Sequence, residues 1–327
     1  MLEVAEIFCG AGGMTLGLQQ AGMRPRLGID LNPHCISTYR RNFRSSSGIV
    51  ADISKIHASD ILSKVRSRDS LVLAGCPPCQ PFSQLHRTEP RDVPEFDHYL
   101  RLIWSVRPQW IVFENVPRIR SWAAIWDRLL QRLQRLGYHV QINVIDAHAF
   151  GVPQRRQRLI LVASRSAFQI AWPNNIPERT VRNSIGHLAH EDLSVPNHTS
   201  MTLSPNNLQR IRQTSLNGGV SKPSSSAFND SYARMQWDGP APTITTKCIS
   251  YSNGRFGHPC FDRAVTVREA ALLQGFPIQF VFEGPLKETA RQVGNAVPPP
   301  VACWIGKQIC QQKVSSLGNV SHETVTA

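Results

Sequence analysis

Four short stretches carry side chains whose types and spacing could do chemistry. The first, AGCPPCQPFS at residues 74–83, follows the apolar run SLVLA. Its Cys76 and Cys79 have C-x-x-C spacing, which fits a redox pair, half of a zinc site or a nucleophilic thiol. A thioredoxin-type pair sits at a helix start, and two prolines followed by Gln-Pro make that awkward. Structural zinc wants a second close pair, whereas Cys248 and Cys260 have eleven residues between them, with His258 nearby. As a nucleophile, Cys79 is favoured by position: the prolines stiffen its loop, and α/β sheets place chemistry beyond the carboxyl ends of their strands. The second stretch, FENVP at 113–117, sets Glu114 at the end of another apolar run. A carboxylate there is costly unless paired or functional. The third, GVPQRRQRLILVA at 151–163, puts Arg155, Arg156 and Arg158 just before a third such run. A plain salt bridge also explains Glu114, and a solvated basic loop also explains the arginines.

The fourth stretch is the glycine-rich turn IFCGAGG at 7–13, with Asp30 ending the next apolar run. Glycines between a strand and a helix let a ligand approach the backbone, and an acid at the second strand end is where nucleotide folds read a ribose. The G-x-G-x-x-G phosphate spacing is not met, because Met14 and Thr15 follow Gly13. That favours a nucleoside without a pyrophosphate, such as S-adenosylmethionine, over a dinucleotide.

Composition narrows the partners. The 327 residues hold 36 Lys and Arg against 23 Asp and Glu, a net charge of +13, and 29 of the 36 are Arg. Arg presents a planar fork suited to phosphates and base edges, so the excess implies a polyanion, most simply nucleic acid. Residues 118–165 alone carry nine Arg against Asp127 and Asp146, whereas 166–262 carry eight basic and six acidic residues. An apolar fraction of 41 % excludes disorder of the whole chain. The longest apolar runs fall well short of the ~18 residues a membrane helix needs. The opening MLEVAEIFCG has two glutamates and no basic stretch, which argues against a secretory signal. Eight scattered Cys in such a chain favour reduced thiols and a cytoplasmic setting.

Elements to position these groups follow from periodicity. Residues 4–8, 26–30, 70–74, 110–114, 138–146 and 158–163 read as strands, the last two as sequence neighbours that pair. Residues 14–20, 33–42 and 122–136 read as helices, with Pro33 as a start and Gly137 as a stop. Alternation of this kind implies a doubly wound α/β sheet. After about residue 166 it ceases, and 172–245 is rich in Ser, Asn, Pro and Thr, as in an irregular second domain. Helical pattern returns at 266–273 and 300–311, and the polar tail from Val314 is expected to fray.

The combination resembles the cytosine carbon-5 DNA methyltransferase family. IFCGAGGMTLGL is similar to its cofactor motif, AGCPPCQPFS to its proline-cysteine loop, FENVP to its glutamate motif and PQRRQR to its arginine motif. RAVTVREAALLQGFP at 263–277 and QVGNAVPPPVA at 292–302 resemble its two closing motifs, all in the family's order. The resemblance implies a Rossmann-like catalytic domain, discontinuous over 1–170 plus 280–327, and a smaller target-recognition domain over 171–279 whose reading segment is about 171–262. It implies Cys79 as the nucleophile at cytosine carbon-6, Glu114 at N3 and the exocyclic amine, Arg158 at O2 and Arg156 as a supporting contact. Gln157 stands where the family often has Glu, and Cys76 where glycine is commoner. For S-adenosylmethionine it implies Phe8, Gly10, Ala11 and Gly12, Asp30 at the ribose, Leu31 against the adenine, Asp52 at the adenine amine with Ile53 beside it, and Pro78 and Asn295 completing the pocket.

Toward DNA the resemblance implies Gln80, Ser83 and Arg155, with Thr243 and Ile244 of the PTITT run as a DNA-facing pair. It implies duplex DNA as partner, no metal, a monomer in the cytoplasm at the nucleoid, and a possible restriction endonuclease acting on the same sequence. A tRNA-methylating branch carries Cys-Phe-Thr where this chain has Cys248-Ile249-Ser250. A non-catalytic DNA-binding regulator would have lost Cys79, Glu114 or Arg158, and all three stand. Most of the basic excess lies on the catalytic half, so the arginines of 118–135 are expected to hold phosphate while the smaller domain reads sequence.

Overall fold

A computed structural model describes residues 1–78, 93–173, 176–188, 194–221 and 231–318. One sheet organises the chain. Its strands are β1 (Glu3–Ile7), β2 (Arg24–Asp30), β3 (Ser47–Val50), β4 (Leu71–Gly75), β5 (Trp110–Asn115), β6 (His139–Asp146) and β7 (Gln157–Ser164), in the spatial order β3-β2-β1-β4-β5-β7-β6. The first five pair in parallel, and β7 runs antiparallel between β5 and β6. Every residue of β1, β4 and β5 is buried, as strands at the middle of a two-sided sheet must be, Glu3 and Glu6 of β1 included. β6, at the edge, is mostly half-exposed.

Alternate residues of each strand serve opposite faces. Ile7, Leu73, Ile111, Phe113 and Leu161 point to one face, covered by α3 (Ala58–Leu62), α4 (Pro94–Val106) and α5 (Ala123–Arg135) through Phe96, Leu100, Ile103, Ile125 and Leu129. Val4, Val72, Val112 and Val162 point to the other, covered by α1 (Gly13–Gln20) and α10 (Pro299–Gly318) through Met14, Leu18, Val301 and Ile305. α1 and α10 touch at backbone distance: a Cβ added at Gly17 would lie 2.2 Å from the Pro299 carbonyl oxygen. A third apolar cluster joins α2 (Pro33–Asn42) to α6 (Val181–Ile185), α8 (Val267–Leu273) and α9 (Leu286–Asn295).

Between β7 and α8 the described backbone contains α6, α7 (Pro205–Gln213) and isolated bridges such as Val220 with Ala233. A single buried guanidinium does much of the folding work here. Arg234 donates to the carbonyls of Ile211, Thr214, His258 and Phe261 at 2.9, 3.2, 3.0 and 2.5 Å, and its Nη2 pairs with Asp262. The sequence-based strands agree in place with β1, β2, β4, β5, β6 and β7. β3, α3, α4, α6, α7 and α9 are additions, and Thr266 proves to be the N-cap of α8, its hydroxyl accepting from the Glu269 amide. The last helix runs to Gly318, beyond the fraying point expected at Val314.

Candidate active site

The carboxyl edge of the parallel strands collects the chemistry. β1 leads into a loop in which Phe8, Gly10 and Gly12 take positive φ of 58°, 51° and 89°. A non-glycine residue in that region is strained, and such strain gathers where backbone is shaped around a ligand. Cys9 N–H donates to Ile29 and Gly12 N–H to Cys9, which folds the loop back over β2. Asp30 completes it, accepting from Gly10 N–H at 2.8 Å and Asn32 N–H at 2.9 Å. Burial raises the Asp30 carboxyl above its usual range, and those amides oppose the rise. Ala11 is buried, while a Cβ on Gly10 would meet nothing within 4 Å, so the loop has an open outer side. Leu31, the next residue along the rim, is 69 % exposed despite its size. An open glycine-lined cradle beside an acid and an exposed apolar side chain fits a nucleoside.

Asp52 follows β3 with its carboxylate exposed and Oδ1 accepting from Ser54 N–H at 2.8 Å, which holds its pKa low. Ile53, next to it, has its side chain buried in the core, which leaves its backbone to face a ligand. Asn295, exposed at the end of α9, and Pro78, exposed after β4, lie on segments returning to this edge. Cys79, Gln80 and Ser83 fall outside the described residues. The loop that carries them is anchored just before they begin: Asn115 Nδ2 donates to the Pro77 carbonyl at 3.1 Å while its Oδ1 accepts from Val116 N–H.

Glu114 and Arg158 come together. β5 and β7 pair antiparallel, with Glu114 opposite Ile160, so the start of β7 lies beside the end of β5. Arg158 Nε sits 2.8 Å from Glu114 Oε1, the two side chains only 15 % and 9 % exposed. A buried carboxylate is thus matched by a half-buried guanidinium at the strand end next to the Pro77 loop.

Arg156, expected as a supporting contact, reaches three backbone carbonyls. It is 2 % exposed, and its guanidinium donates to the carbonyls of Ile244, Gly294 and Ala296 at 2.9, 3.0 and 3.2 Å. Gln154, also buried, accepts from Ile244 N–H at 2.7 Å and contacts Gln274, whose amide in turn donates to Val293 and Ala296. The arginine motif therefore ties together the segment near 244 and the end of α9. Ile244 cannot face DNA, because it is wholly buried in the third cluster. Thr243 is exposed, but its hydroxyl donates to the Arg155 carbonyl at 2.6 Å. Arg155 is 60 % exposed and borders a hollow of about 570 Å³ lined also by Gln236, Thr243, Asn253 and Arg255. Asn115, Gln154 and Gln274 carried no signal beyond lying inside the quoted motifs. Among the described residues, no group of three or more His, Cys, Asp or Glu is arranged to hold a metal, and no helix is long and apolar enough to cross a membrane.

Comparison with known proteins accounts for nearly the whole chain. A family model for C-5 cytosine-specific DNA methylases matches residues 2–311. The Type II methylase M.HgiDII of Herpetosiphon aurantiacus is 39 % identical, covering 94 % of this chain and 94 % of its own length. The Type II methyltransferase M1.HphI of Haemophilus parahaemolyticus is 31 % identical over 96 % and 88 %. Two solved structures share the fold: a prophage-encoded protein of E. coli, with TM-score 0.77 at 24 % identity over 95 % of this chain and 99 % of that one, and the methyltransferase EhMeth of Entamoeba histolytica, with TM-score 0.71 at 17 % identity over 96 % and 99 %. Matched from its second residue to the middle of α10, the chain belongs to the C-5 cytosine-specific DNA methylase family.

Proposed function

We propose that this DNA cytosine-5 methyltransferase modifies one cytosine within a particular duplex sequence, with Cys79 as nucleophile and Glu114 and Arg158 on the target base. The observation that carries the reading is the buried Glu114–Arg158 pair, 2.8 Å apart at the strand end that anchors the Pro77 loop. Carbon-5 of cytosine is too weak a nucleophile to take a methyl group unaided. Addition of the Cys79 thiolate to carbon-6 makes carbon-5 enamine-like. Glu114 holds N3 and the exocyclic amine, Arg158 holds O2, and together they stabilise the charge that develops on the ring. Loss of the carbon-5 proton to a base then lets the Cys79–carbon-6 bond break and restores the thiolate. In duplex DNA the base must first leave the stack, at about a few kcal/mol.

S-adenosylmethionine, when bound, supplies an electrophilic methyl group. Phe8, Gly10, Ala11 and Gly12 would cradle it, with Asp30 at the ribose, Leu31 and the Ile53 backbone at the adenine, Asp52 at the adenine amine, and Pro78 and Asn295 closing the pocket. We assign catalysis to residues 1–170 plus 280–327 and target recognition to 171–279, with Arg155 and Thr243 at the junction. Relatives named as Type II methylases support a place beside a restriction endonuclease of the same specificity, in the cytoplasm.

The test is covalent trapping. Duplex DNA containing 5-fluorocytosine cannot release the carbon-5 substituent, so with S-adenosylmethionine it should give a denaturation-resistant adduct. The C79A variant should give none and should still bind the donor. Absence of an adduct with the unaltered protein, or transfer to tRNA in preference to DNA, would overturn the reading. Conversion sequencing of methylated DNA then gives the recognition sequence.

A further inference from the structure

The connection between β6 and β7 holds a carboxylate that the chemistry above does not use. Asp146 ends β6, and its backbone faces Gln157 in the last rung of the β6–β7 ladder. Beyond that rung the side chain takes over. Asp146 Oδ1 accepts from Arg156 N–H at 3.0 Å and from His148 N–H at 3.1 Å, while Ala147 N–H donates to the Arg156 carbonyl at 2.9 Å. A side-chain oxygen thus stands where a strand carbonyl would be and carries the ladder one residue further. A carboxylate that served only to cap the short turn 147–150 would need the His148 bond alone. The second bond reaches ten residues along the chain, to the backbone that delivers Arg158 to Glu114.

The opposite side of the same backbone is held as well. Arg155 N–H donates to the Ala241 carbonyl at 3.0 Å, and the Thr243 hydroxyl donates to the Arg155 carbonyl. Asp146 Oδ2 lies 3.8 Å from Arg155 Nη1. Residues 155 and 156 are therefore clamped between Asp146 and the 241–243 segment, two residues before the guanidinium that pairs with Glu114.

We propose that Asp146 is a positioning residue for methyl transfer: by holding the Arg156 amide it sets the register in which Arg158 meets Glu114 and the target cytosine. The inference rests on the roles proposed for Arg158 and Glu114. Misplacing a group by a fraction of an ångström at such a site costs rate rather than fold, on the order of tenfold or more.

Two substitutions separate aiming from capping. In D146N the amide oxygen can accept both N–H groups, so kcat on duplex DNA should stay within about threefold of the unaltered protein. In D146S the shorter hydroxyl can still cap His148 N–H but cannot reach Arg156. Its kcat and its rate of 5-fluorocytosine adduct formation should fall by about tenfold or more, with the KM for S-adenosylmethionine and the melting midpoint nearly unchanged. Normal kcat in D146S, or equal losses in D146N and D146S, would overturn the proposal. So would a D146S defect that lies wholly in melting or donor KM. An unaltered protein that formed no DNA adduct would instead remove the functional reading beneath it, so the two failures are distinguishable.

Discussion

Two buried glutamates show how surroundings decide what a carboxyl does. Glu114 has the Arg158 guanidinium at 2.8 Å as its partner at the strand end. Glu6, in the middle of β1, has only Thr15, whose amide donates to it at 2.9 Å and whose hydroxyl lies closer still. Burial pushes Glu6 up to about 8, with Thr15 lowering it in part. The folded chain therefore holds a proton on Glu6 that the unfolded chain has released above the ordinary value of 4.5. Stability from this group is full below about pH 4.5 and is lost as pH rises through about 8. E6Q, a permanently neutral mimic, should flatten that decline: between pH 6 and pH 9 the melting midpoint of the unaltered protein should fall further than that of E6Q. Equal falls would mean that Glu6 is not the group responsible. His258 works in the opposite window, because burial lowers it to about 4, so its contribution is present above pH 6.5 and fades as pH falls toward 4.

At the scale of elements, the decisive contact is α1 against α10. A Cβ on Gly17 would come within 2.2 Å of the Pro299 oxygen and 2.5 Å of the Ala302 Cβ, both on a helix that is itself fixed. G17A should therefore destabilise the fold by about 3 kcal/mol, read from a denaturant titration, and weaken donor binding with it. A change below about 1 kcal/mol would show that the two helices can part at little cost. How much of this was legible in the sequence depended on range. Strands β4 and β5 announce themselves because both of their faces are buried, which leaves apolar runs. α4 had legible signals, with Pro94 at its start, Glu95 and Asp97 in the first turn, and Phe96, Leu100 and Ile103 at helical spacing. β3 has only four residues, half of them partly buried, and offers no period to read. Glu114 and Arg158 were legible as motif members. Asp146, Asn115 and Gln154 were not, because each acts through a hydrogen bond to a backbone group whose location only the fold supplies. Ile244, taken from the resemblance as one of a DNA-facing pair, has its side chain turned into the core by the backbone, which the motif alone does not reveal.

For the whole molecule the question is where a charge of +13 acts. The basic stretch 118–135 divides in two. Arg128 grips Asp97 of α4 at 2.9 and 3.1 Å, and Arg132 lies over the Trp104 ring at 5.2 Å, on the outer flank of the sheet. Arg118 and Arg120 instead occupy the turn that leaves the carboxyl end of β5, immediately after Glu114 and Asn115. Phosphate contacts should follow that division. The double variant R118Q/R120Q should lower the slope of log Kd for duplex DNA against log salt by about 2, whereas R128Q/R132Q should leave it unchanged. A slope lowered by the second pair and not the first would place the DNA on the α4–α5 flank.

The pairing of α1 with α10 also has a temporal side. About 280 residues separate the end of one helix from the start of the other, so a ribosome delivers α1 long before its cover exists. Until α10 emerges, Met14 and Leu18 lack the Val301 and Ile305 side chains that cover them, and Gly13 lacks the Val297 carbonyl that lies 2.4 Å from where its Cβ would be. The glycine-rich loop that we propose as the methyl-donor cradle is translated early and covered late. On that reading a nascent chain lacks a completed donor site until about 280 residues after α1 have been made, and competence arrives when α10 docks.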